Sequence, residues 1–321
     1  VDPLTAALTL PIDELYQRAL AEGGTVTFYG ALAQINAERI LPQFEQRFPG
    51  MKVQHIDATC DALVARIVAE SRGGKVLADV FDCLMEYAVQ LNQRGLFFQQ
   101  QPPEADAYPD GLRGPFWIST DVIYLIGAWN TNLVRPDEAP REFDDFADPR
   151  WRGRLIAEPR DAELLIGLVR KHGSEERAVE VLRRIAANNV EFHKGHSDLA
   201  ELLAAGQAAA CVTCYSHHYP GRIGRGAPLD YMLTEGVAIV NAGTVLKDAP
   251  HPYAAMLWHR WAHSEEGQRA YAEGGRTPSH PNVQPRDPTR PEKTYPIGPD
   301  EVASMPKYQR IWNEVFQIRG T

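Results

Sequence analysis

TVTFYGALAQINAERILPQFEQRFPGMKVQHID, residues 25–57, spells a strand, a helix and a second strand. Thr25–Gly30 is β-branched and aromatic until the glycine ends it, which predicts a short buried strand. Ile40, Phe44 and Phe48 then recur at every fourth position, one apolar face of a helix, and Pro49-Gly50 stops it. MKVQHID returns to extended chain.

The pattern continues on both sides. LPIDELYQRALAEGG reads as a helix stopped by Gly23-Gly24, DALVARIVAESRG as another with Leu63, Ile67 and Val68 on one side, and ADVFDCL as a third strand. Strand, helix, strand, helix, strand at this pace predicts an α/β layer with a largely parallel sheet. In such sheets the loops beyond the C-terminal strand ends line the ligand crevice. Here those loops hold Tyr29-Gly30-Ala31, Ala58-Thr59-Cys60-Asp61 and Asp82-Cys83.

FWISTDVIYLIGAW, residues 116–129, reads as extended chain leaving this first series, and a Pro-rich connector follows. A second α/β series then runs from RLIAEP through two helices, VEFHKG and HSDLAELLAAG to AAACVTCYS. HPYAAMLWHRWAHSEEGQRAYAEGG reads as a helix on the outer surface, with His259 and His263 solvated. Residues 277–299 carry seven prolines, an ordered surface wrap, and ASMPKYQRIWNEVFQI closes the chain as a helix.

A formal charge of -9 with Lys and Arg thinly spread leaves no basic stripe for a phosphate backbone, which argues against nucleic acid. No run of eighteen apolar residues is present, so no transmembrane helix is predicted. Of the four cysteines, Cys60 with Cys83 and Cys211 with Cys214 can pair in an oxidising compartment; in a reducing one all four can be free.

ACVTCYSHHYPGR, residues 210–222, admits a zinc site, a catalytic centre or a pocket wall. In a regular strand Cys211 and Cys214 point to opposite faces, which argues against zinc. Cys60, Cys214, His217 and Asp61 offer a nucleophile and a base, but no nucleophile elbow or HExxH pattern accompanies them, so no enzyme is expected. Arg160, between RLIAEP and the next helix, can grip a ligand carboxylate in bidentate fashion or pair with Glu158 or Asp161, and Ser197 is expected to cap the helix DLAELLAAG. Thr59 and Cys60 precede a helix whose N–H groups can hold an anion, and Asn241 sits where the chain re-enters the first series.

VTFYGA, LVARIVAE, ADVFDC, YLIGAWNTNLV, FDDFADPRWRGRL, LAELLAAGQAA, NAGTVLKDAPHPYAAMLWHRWAHSEEGQ and GGRTPSHPNV, in this order, span about Leu15 to Val283. In them the chain resembles the extracellular solute-binding proteins of bacterial ABC importers, with the type 2 periplasmic-binding-protein fold, and specifically the ferric-iron-binding branch. The resemblance implies two α/β lobes with a ligand cleft and crossing hinge strands. Lobe 1 would be residues 1–120 plus 238–321 and lobe 2 residues 121–237. It also implies a non-catalytic, monomeric carrier in the periplasmic or extracellular space that hands a small solute to a membrane permease.

Iron-binding members take Fe(III) on adjacent tyrosines at the end of a second-lobe strand, with a His or carboxylate from the first lobe and an accompanying anion. The matching position here reads Tyr215-Ser216, so the pair is broken. The expectation is therefore an anionic organic solute with no metal or other cofactor, held by Tyr29, Ala31, Thr59, Cys60, Asp61, Arg160, Ser197, Tyr215, Ser216, His217 and Asn241. The alternative is Fe3+ on Tyr215, Asp61, Tyr29 and His217.

Overall fold

Strand β1, Thr25–Gly30, pairs in parallel with β2, Lys52–Ile56, and with β3, Val80–Leu84. Thr25 stands opposite Lys52 and Phe28 opposite Val80. Helices Gln34–Arg47 and Cys60–Arg72 make the crossovers that parallel strands require. The computed structural model describes residues 2–319. By contacts the chain divides into two units, Val1–Val122 with Val240–Arg286, and Ile123–Ile239 with Asp287–Thr321.

β4, Arg113–Gly114, folds back on β5, Trp117–Asn130, the long strand that carries the chain out of the first unit. The chain returns along β10, Glu235–Val245, whose later residues run antiparallel to β3 with Asn241 opposite Leu84 and Gly243 opposite Asp82. Phe28 and Phe44 meet Trp258 with ring centroids 5.2 and 5.1 Å away, and Phe44 lies 5.4 Å from Trp261. Helix Pro252–Ala262, which carries both tryptophans, is therefore a core helix and not a surface one. His259 and His263 are buried with it: His259 Nε2 is 2.8 Å from Gln101 Oε1, and His263 Nδ1 is 2.7 Å from the His259 carbonyl. Burial pushes His263 down to about 4, so the ring is neutral.

In the second unit β5 runs antiparallel to β8, Ala210–Tyr215, which is parallel to β6, Leu155–Ala157; β6 is parallel to β7, Glu191–Phe192. β9, Leu229–Tyr231, pairs with β5, and β11, Lys293–Pro296, with the first residues of β10. Phe143, Phe146, Trp151 and the helices Glu163–His172 and Glu175–Ala186 build the core. A Cβ on Gly167 would come within 2.3 Å of Val237 Cγ2, so glycine lets that helix lie against β10.

The last helix, Met305–Phe316, packs on this second core. Trp312 is fully buried, donates from Nε1 to the Pro159 carbonyl at 2.9 Å and meets Phe316 at 4.6 Å. Residues 287–321 therefore group with the second unit and not with the first, contrary to the assignment of 238–321 from sequence. Spacing gives the amphipathic stripe but not which core receives it.

Both cysteine pairs are joined, Cys60–Cys83 and Cys211–Cys214. The second pair overturns the opposite-face expectation. Cys214 stands opposite Ile126 and Cys211 opposite Ala128, so three steps on β8 answer two on β5. The bulge shifts the alternation by one residue and brings both sulfurs to the same side. A disulfide leaves no thiolate for zinc there.

Candidate functional site

β6 and β8 are parallel neighbours, so their C-terminal ends open on one edge of the second unit's sheet. Glu158-Pro159-Arg160-Asp161 leaves β6 there, Tyr215-Ser216-His217-His218 leaves β8, and the helix His196–Ala204 begins beside them. The His196 and Tyr215 rings stack with centroids 3.5 Å apart and planes 13° apart. His196 Nε2 lies 2.8 Å from Asp161 Oδ2, which fixes the imidazole. The rings of His217 and His218 lie 5.8 and 6.4 Å from Tyr215 and 4.3 Å from each other.

Both signs of charge act at this edge. Burial pushes the Tyr215 phenol above its ordinary value, and the negative charges of Asp161, Glu163 and Glu158 push it further against the single opposing charge of Arg160. Burial, Arg222 and His196 hold His218 down at about 4, so its imidazole is neutral and has a lone pair to give. A phenol, three imidazoles and carboxylates in one cluster are ligands for a transition-metal cation.

Arg160 is tied to Glu158. Its Nε and Nη2 donate to its own Glu158 Oε1 at 2.8 and 2.6 Å, and its backbone N–H donates to Oε2 at 2.6 Å. Ser197 does not cap its helix; Gly195 occupies the cap position, and Ser197 Oγ accepts from Arg222 Nη2 at 3.0 Å. Ser216 is buried and donates to the Thr289 carbonyl at 2.7 Å. Tyr215 and His217 stay at the cluster, His217 exposed. His196, His218 and Asp161 were not singled out as side-chain ligands by sequence reasoning. The strand-end rule that selected Arg160 also reaches Asp161, one residue on.

In the first unit Tyr29 turns away from the strand-end edge. It is buried, donates from Oη to Glu70 Oε1 at 2.6 Å and lies under Arg66. Cys60 is spent in its disulfide. Thr59 takes the cap position of helix Cys60–Arg72, and its hydroxyl together with the first-turn N–H groups lowers Asp61, which stays exposed. Ala31 and Asn241 line a recess of about 20 Å³ with Asp82, Asp121, Tyr271 and Arg276. Asp121 Oδ2 accepts from Arg276 Nε at 2.7 Å and Nη2 at 2.5 Å.

A third cluster joins Glu142, Asp144 and Glu235, whose carboxylate oxygens lie within 4.8 Å of one another. Lys171 Nζ is 2.7, 2.6 and 3.0 Å from these carboxylates, and this ammonium takes the place of a cation.

Residues 77–304 match the family model described as bacterial extracellular solute-binding protein. Iron uptake protein A2 of Synechocystis is 26% identical across 97% of this chain and 95% of its own length. Among solved structures, the Bordetella ferric binding protein matches with a TM-score of 0.78 and 20% identity over 91% of this chain and 98% of its own. A Trichodesmium protein in complex with iron and citrate ligands matches with 0.77 and 18% identity over 91% and 99%. These likenesses give the type 2 periplasmic-binding-protein fold, with two lobes, mixed sheets and crossing strands. They also correct the expectation of a carrier without metal, because the named relatives are iron proteins and the carboxylates of Glu142, Asp144 and Glu235 lie close enough together to hold a metal ion. The chain belongs to the bacterial extracellular solute-binding proteins, as a non-catalytic periplasmic or extracellular carrier of an ABC importer.

Proposed function

We propose that the cargo is ferric iron, bound at the second unit's strand-end edge and delivered to the importer's permease. The observation that carries this reading is the charge around Tyr215: Asp161, Glu163 and Glu158 crowd its phenol, while the guanidiniums of Arg160 and Arg222 are paired with Glu158 and Glu201. Such a field repels organic carboxylates and attracts a cation. The iron names of the relatives support the same choice.

Tyr215 supplies the hard anionic oxygen that Fe(III) prefers, and His217 and His218 are the imidazoles nearest it on the same turn. His196 orients the phenol ring by stacking and is itself held by Asp161. Because the phenol is protonated at neutral pH, binding as phenolate releases a proton.

Isothermal titration in two buffers of different ionisation enthalpy tests the reading. Fe(III) supplied as its citrate complex should bind one ion per chain with proton release, and citrate alone should give no heat. Binding of metal-free citrate or another organic acid at the same stoichiometry would contradict it.

A further inference from the structure

We propose that the recess in the first unit is a site for one small, hard monovalent cation of the sodium class. It lies apart from the iron reading and rests on none of its residues. Asp82 from β3 and Asp121 from β5 face it, and among the described residues that line it Arg276 is the one cation, bonded to Asp121. Two carboxylates against one guanidinium leave one negative charge uncompensated.

The second observation is Tyr271. It comes from helix Glu265–Glu273, is 1% exposed, lines the recess, and its Oη has no hydrogen-bond partner. A buried hydroxyl without a partner is destabilising, and an occupant of the recess would complete it. The Asn241 side chain from β10 lines the same space, and the Thr120 hydroxyl bonds Asp82. The walls are thus oxygen donors with one charge to satisfy.

Size narrows the occupant. About 20 Å³ gives room for a water-sized particle and not for an organic molecule. A divalent ion would feel twice the repulsion from Arg276 in the wall, and calcium would need six to eight oxygen ligands. Burial and the charge of Asp121 push Asp82 up to about 7. A proton answers the uncompensated charge in acid, and a cation answers it once Asp82 is ionised.

The test is thermal unfolding of the iron-free protein at pH 8, in sodium chloride against N-methylglucamine chloride at equal ionic strength. Sodium should raise Tm saturably, by about 2–4 °C. Asp82→Asn and Tyr271→Phe, each checked for native circular dichroism, should lose most of that rise. Equal Tm in the two salts would overturn the proposal and leave the recess to a proton or a water. So would a sodium effect that survives both substitutions.

Discussion

His196 lies face to face on Tyr215, ring centroids 3.5 Å apart, while its Nε2 is held 2.8 Å from Asp161. The three residues come from separate elements, a helix start, a strand end and a connecting loop, yet form one stacked unit. Removing the orienting imidazole should loosen the phenol without removing it. His196→Ala is expected to weaken iron binding by about 10–100-fold while the stoichiometry stays at one, as for other residues that orient a ligand. Titration against a competing chelator reads this directly.

Arg160 separates the two cargo classes. If it gripped an organic anion, Arg160→Ala would abolish binding. Here it neutralises Glu158 at 2.6 Å, so its removal makes the edge more negative. Affinity for Fe(III) should stay equal or increase, by an amount that shrinks with added salt because the side chain is exposed.

The two disulfides should contribute unequally. Cys60–Cys83 closes a separation of 23 residues and Cys211–Cys214 one of 3. Loop-closure entropy gives about 3 kcal/mol for the longer loop and about 2 kcal/mol for the shorter. Denaturant unfolding of Cys60→Ala/Cys83→Ala and Cys211→Ala/Cys214→Ala should rank them in that order.

Acid should destabilise the protein through its buried histidines. His263 is held at about 4 by burial, below the ordinary histidine value of 6.5. Between those values the unfolded chain binds the proton and the folded one does not, so stability is lost as pH falls from about 6.5 through about 4. The contribution of His263 is on the order of 3 kcal/mol. His218, also held at about 4 but half-exposed, acts in the same direction. The urea midpoint should fall between pH 7 and pH 4.5, and less steeply in His263→Gln.

Much of the fold was legible because its signals are local. The strand at Thr25–Gly30, the helix carrying Ile40 and Phe44, and the long strand through residues 117–130 announce themselves by periodicity and breakers. What was not legible depends on partners distant in sequence. A bulge against Ile126 and Ala128 decides which way Cys211 and Cys214 face, and nothing within ACVTCYS encodes it. Tyr29 sits at a strand end, but Glu70, 41 positions away, draws its hydroxyl inward. For Arg160 the sequence leaves a ligand carboxylate, Glu158 and Asp161 all open as partners, and spacing alone does not choose the chelate with Glu158 that forms. The recess joins Asp82, Asp121, Tyr271 and Arg276 across some 190 residues of chain, beyond the reach of any motif.

The central claim is that Tyr215 binds ferric iron as phenolate. It is tested most directly by visible absorption and elemental analysis of the protein loaded with Fe(III), beside Tyr215→Phe. A phenolate-to-iron charge-transfer band with one iron per chain, both lost or reduced at least tenfold in Tyr215→Phe, is the predicted result. Absence of stoichiometric iron, or the same band and stoichiometry in Tyr215→Phe, would contradict it.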